Sequence, residues 1–72
     1  LKSVTSENIR KIIQDKGLKQ IAVAEKAGYS NGKFNNMLNG RKLITDVDVS
    51  NIANALGVEP NDLYGIGKEG GK

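Results

Sequence analysis

The sequence predicts an all-α fold, a compact domain of five helices with no strand. Three observations carry that prediction. Apolar and small residues recur at helical spacing in four stretches: Ile9-Ile12-Ile13, Ile21-Val23-Ala24-Ala27, Phe34-Met37-Leu38 and Val49-Ile52-Ala53-Leu56. A glycine follows each stretch, at Gly17, Gly28, Gly40 and Gly57, where a helix stop is expected. Between Gln20 and Gly40, two short helical patterns flank Gly28 too closely to lie antiparallel, so they must cross steeply as a helix-turn-helix.

The first helix is expected to start at Thr5 as N-cap, with Val4 and Ile9 placed for a hydrophobic staple. Glu7 in its first turn and Lys16 in its last complement the helix dipole. Ile9, Ile12 and Ile13 form its buried stripe, Gly17 stops it, and Leu18 is expected to drop into the core. The second helix spans about 19–27, and its small residues Ala22, Ala24 and Ala27 permit a close crossing. Ser30 offers a hydroxyl to the open N–H groups of the third helix, which runs to about Leu38 and stops at Asn39-Gly40. A basic loop, Arg41-Lys42, follows.

The fourth helix has the clearest start. Thr45 with Asp48 three residues later makes an acidic capping box, and Ile44 and Val49 can staple it. Pro60 sits in the first turn of a short fifth helix, where its missing N–H costs nothing. Leu63, with Tyr64 and Ile66, is expected to seal the base of the core. The domain is therefore assigned to residues 1–66, and residues 67–72 (GKEGGK), with no apolar content, to a disordered tail.

Seventy-two residues hold one domain, and no cysteine braces its small core. No apolar run approaches 18 residues and no basic-then-apolar leader stands at the start, so no membrane partner and a cytoplasmic location are expected. Charge is unevenly spread. Residues 1–44 carry nine Lys/Arg against three acids, or +6, and residues 45–72 carry two against five, or −3. Excess lysine serves solubility in many small domains. Here it is concentrated on the half that holds the helix-turn-helix, as a phosphate-facing surface requires.

On a helical wheel from Asn31 to Leu38, Phe34, Met37 and Leu38 cluster on one side. Opposite them lie Gly32 and Asn36, flanked by Asn35 and Lys33, with Asn31 at the exposed N-terminal end. That outward face is amide, lysine and glycine without an acid, a composition suited to the major groove. An Asn amide donates and accepts at once against adenine N6 and N7. Asn36 and then Asn31 are the leading candidates for base contact. Lys33 reaches a guanine or a phosphate, and Gly32 reads nothing itself but lets the helix sit deeper. Asn35 is either a contact or a solvated polar residue.

The run from Gly17 to Arg41 resembles the helix-turn-helix domain of the phage Cro and cI repressors and the related Xre-type regulators. The matching positions are Gly17, Leu18 and Gln20, then Ala24-Glu25-Lys26, Gly28, Ser30 and Asn39-Gly40. Farther on, IANALGV (residues 52–58) and Asp62-Leu63 match the family's two C-terminal helices, so the resemblance covers about residues 7–65. It implies a lambda repressor-like DNA-binding domain from a bacterial or phage-encoded regulator, reading bases mainly from the positions occupied here by Asn31, Gly32 and Asn36. Glycine at position 32 departs from the usual contact there. The resemblance also implies that Gln20, at the start of the second helix, bridges phosphate and recognition helix. Lys19, Asn39, Arg41 and Lys42 are placed to add phosphate contacts, which fix register without reading sequence. Relatives usually cap the second helix with Ser or Thr where this chain has Lys19. Many carry a glutamate at the position of Leu38 paired with an arginine at that of Ile13. Both are apolar here, a matched replacement that strands no buried charge.

An enzyme is not expected: there is no His and no Cys, no P-loop glycine pattern, and most acids stand at helix starts. No cofactor, metal or small-molecule ligand is expected. The expected partners are a double-stranded DNA operator and a second copy of the chain, since one recognition helix covers few base pairs. The C-terminal helix, with Leu63, Tyr64 and Ile66, is the dimer surface that the resemblance implies. With no added domain, a repressor is the expected form of regulator. The alternative is a protein-binding module, such as the antitoxin half of a toxin–antitoxin pair.

Overall fold

The computed structural model describes residues 4–64, and within them the chain forms five helices. These are α1 (Val4–Asp15), α2 (Gln20–Ala27), α3 (Asn31–Leu38), α4 (Asp46–Leu56) and α5 (Pro60–Tyr64). The expectations for Ile66 and for the tail at 67–72 lie outside the described residues.

One local device ends four of the helices. Gly17, Gly28, Gly40 and Gly57 all have positive φ, between 67° and 91°. After each, the next residue's N–H reaches back to a carbonyl five residues earlier: Leu18 to Ile13, Tyr29 to Ala24, Arg41 to Asn36 and Val58 to Ala53, at 2.8–3.0 Å. The glycine's own N–H bonds a carbonyl three residues back, which completes the Schellman pattern. At Gly28, φ 91° and ψ 22° lie in the left-handed region, which a side chain would strain. The turn between α2 and α3 therefore depends on a glycine there.

The core is one cluster drawn from all five helices. Phe34, Met37 and Ile52 are fully buried, with Ile9 and Ile13 from α1, Val23 and Ala24 from α2, and Leu63 from α5 packed around them. The capping box at α4 is complete: Thr45 Oγ1 accepts from the Asp48 N–H at 3.2 Å and Asp48 Oδ2 accepts from the Thr45 N–H at 3.0 Å.

Three expectations about packing are corrected. Thr5 is not the N-cap of α1, which is already helical at Val4. Within a helix Val4 points about 140° away from Ile9, five residues on. Val4 is accordingly 65 % exposed and staples nothing; Ser6, Ile9 and Ile13 make the buried stripe, with Ile12 half-buried at its edge. Leu18 does not enter the core: the turn at Gly17 commits its backbone to Ile13 and leaves its side chain 40 % exposed. Ala22 is exposed and takes no part in the helix crossing, which Ala24 and Ala27 allow. Leu63, by contrast, is fully buried. It seals the core as expected and so presents no side chain to a second copy.

Candidate nucleic-acid interface

The third helix is only eight residues long, too short to be stable alone. Its form is fixed from both ends. At the N-terminus Ser30 is extended, and its Oγ accepts from the Lys33 N–H at 3.1 Å. At the C-terminus α3 has no basic residue of its own in the last turn. Arg10, reaching across from α1, supplies one: its Nε donates to the Leu38 carbonyl at 3.4 Å and its Nη2 to Asn39 Oδ1 at 2.5 Å. A cation on exposed helix carbonyls complements the dipole. The sequence reading missed Arg10, because 28 residues separate it from Leu38.

With Phe34, Met37 and Leu38 buried, α3 turns Asn31, Gly32, Lys33 and Asn36 to solvent. Gly32 has open space around it; an added Cβ would meet nothing within 4 Å. Asn35 is half-buried, and its Oδ1 accepts from Gln20 Nε2 at 3.3 Å. That bond ties Asn35 to the start of α2. Asn39 likewise has its side-chain oxygen turned to Arg10.

The turn residue Tyr29 is the other participant that the sequence reading overlooked. Its ring stacks on Phe34 (6.4 Å between centroids, 6° between planes). Its hydroxyl donates to Asp48 Oδ1 at 2.5 Å and accepts from Asn51 Nδ2 at 3.3 Å, which ties the turn to α4. The Lys33 ammonium lies 5.3 Å from the Tyr29 ring centroid, within cation–π range. Burial, then the hydrogen bond to Asp48 and its charge, raise the Tyr29 hydroxyl above the usual tyrosine value, against a smaller lowering by Asn51. Burial pushes Asp48 up, but the bonds from Tyr29 and Thr45, with the Lys33 charge, outweigh it and hold the carboxyl below its ordinary value. An aromatic residue beside the turn glycine was the available signal for this cluster.

The rest of the expected surface lies around α3. Lys19 is the N-cap of α2, extended, exposed and without a side-chain cap bond, as its departure from Ser or Thr predicts. Gln20 follows it as the first helical residue. Arg41 and Lys42 are exposed just past Gly40. Acids stand in the first turns of α1, α4 and α5, as Glu7, Asp46 with Asp48, and Asp62. The first turns of α2 and α3 hold none. Neither positive end therefore carries a compensating charge of its own; α3 has only the neutral Ser30 cap and α2 has no side-chain cap.

The family model for the Cro/C1-type helix-turn-helix DNA-binding domain matches residues 8–69. The chain belongs to this family. Neither the comparison with curated proteins nor that with solved structures found a match. In the Cro/C1-type domain, α2 and α3 are the two helices of the motif, and DNA binding is what the domain does. Leu38 and Ile13 both lie in the core, and Arg10, one turn before Ile13 on α1, serves the end of α3. Among the described residues no helix is long and apolar enough to cross a membrane.

Proposed function

We propose that this Cro/C1-type domain is a sequence-specific regulator of transcription that binds a double-stranded operator as a homodimer and represses by occupying it. In this reading α3 lies in the major groove. Asn36 and Asn31 read base edges, Gly32 lets the helix approach closely, and Lys33 stands at the flank of that face. Lys19, Gln20, Asn39, Arg41 and Lys42 hold the phosphates on either side.

The observation that carries the reading is the exposed face of α3, made of amides, a glycine and a lysine with no acid. An apolar face there would favour a protein partner, as in the antitoxin reading; a polar face with basic surroundings favours nucleic acid.

Two substitutions test it. Asn36→Ala should relax base preference at one position of each half-site, by about 1–3 kcal/mol of discrimination. Arg41→Ala should weaken all duplexes alike and make the log–log salt slope shallower by about 0.9 per protomer. Loss of affinity in both variants with preference unchanged would remove α3 as the reading element.

A further inference from the structure

Resting on the DNA-binding reading above, we propose that Tyr29 and Asp48 are positioning residues that hold Lys33 to the flank of the recognition helix, committing it to the phosphate wall of the groove and keeping it off the base edges. A lysine in an exposed first turn ordinarily sweeps a wide arc on its flexible stem. Here the ammonium rests over the Tyr29 ring. That ring is itself held by the stack on Phe34, the bond to Asp48 and the bond from Asn51. Asp48 is fixed in turn by the capping box of α4. The perch for Lys33 is therefore anchored to the core and to a second helix.

Its location decides what Lys33 meets. On α3, Gly32 and Asn36 lie opposite the buried side, and Lys33 stands roughly a quarter-turn from them. Asn35, held by Gln20, stands on the other flank. A helix about 10–12 Å across fills a major groove about 12 Å wide, so its flanks face the two phosphate backbones and its outward ridge faces the bases. Gln20 with Asn35 meets one backbone, and Lys33 with Tyr29 the other. The Tyr29 ring under the ammonium is bonded to Asp48 of α4, a carboxylate that the Lys33 charge also favours.

The test uses the full chain, selection from randomised duplexes, and salt titrations on the selected site. Lys33→Met should select the same sequence as the parent, bind every duplex more weakly, and show a log–log salt slope shallower by about 0.9 per protomer. In a Tyr29→Leu background Lys33 is freed. That variant should acquire an altered preference at one position per half-site, which adding Lys33→Met abolishes. A changed preference in Lys33→Met alone would overturn the proposal, as would an identical effect of Lys33→Met in both backgrounds. If Tyr29→Leu does not fold, the parent still decides: ring current should shift the Lys33 ε-methylene protons upfield in the free protein and in the complex, and unshifted resonances would overturn the proposal. Failure of the parent to enrich any duplex would instead strike the DNA-binding reading, whereas an enriched parent with a base-reading Lys33 would strike this inference alone.

Discussion

Gly32 shows what a single residue decides. Nothing inside the domain calls for a glycine there: it is not at positive φ and an added Cβ would be in open space. Alanine at that site should therefore stabilise the helix by about 1 kcal/mol, which for a domain of this size raises Tm by roughly 4–8 °C. If α3 approaches the groove closely, the same Gly32→Ala change should weaken operator binding. Thermal melts and binding titrations on one preparation would show the two effects in opposite directions; a raised Tm with undiminished affinity would leave the glycine without a role in the approach. Tyr29 and Asp48 make a second residue-scale prediction. The Tyr29 hydroxyl titrates above its ordinary 10.0, so the stability from its bond is present below that pH and lost as pH rises through the raised value. Asp48 titrates below its ordinary 3.8, so its stability is present above that pH and lost as pH falls through the lowered value. Tyr29→Phe should lower Tm across the plateau between these limits and flatten both limbs of a Tm–pH profile. A profile parallel to the parent's would mean that the bond contributes nothing.

At the scale of the element, α3 is a reading head with little stability of its own, held by its caps and its three buried residues. Phe34 is fully buried and also carries the Tyr29 stack. Phe34→Ala should cost about 3–5 kcal/mol, a large part of the roughly 4–11 kcal/mol that a domain of this length has at all. Cooperative melting followed by circular dichroism should be nearly abolished; a sharp transition within a few degrees of the parent's would contradict the packing. Thr45→Ala removes the cap of α4 and should cost about 1 kcal/mol, leaving α3 in place. These elements were legible because their signals are local. Thr45 and Asp48 are three residues apart, the four stop glycines follow their apolar stripes directly, and Ser30 stands where a cap is needed. Arg10 and the Tyr29–Asp48 bond were not legible, since each joins residues 19 or more apart through a side chain whose direction no periodicity records. Val4 and Leu18 misled for a related reason: apolar character predicts burial, but the helix phase of one and the turn after Gly17 for the other point them outward.

For the whole molecule, the charge asymmetry and the helix order agree. The +6 half carries both helices of the motif, and the −3 half carries the acid-capped α4 and α5. The resemblance pointed to the C-terminal helix as the dimer surface, yet Leu63 is spent in the core and Tyr64 is half-buried, with its hydroxyl on Asp46 at 2.7 Å. Among the described residues the large apolar side chains most exposed are elsewhere, Leu43 and Val47 just before and within the start of α4. A dimer is therefore an expectation of the function more than of any apolar patch on α5. The most direct test of the central claim is selection from a pool of randomised duplexes with the purified chain at about physiological salt. A homodimer that reads operator half-sites should enrich a short palindrome whose half-sites are centred about 10–10.5 base pairs apart, the spacing of two recognition helices on one face of the duplex. Retention of DNA without enrichment, or no retention at all, would contradict it.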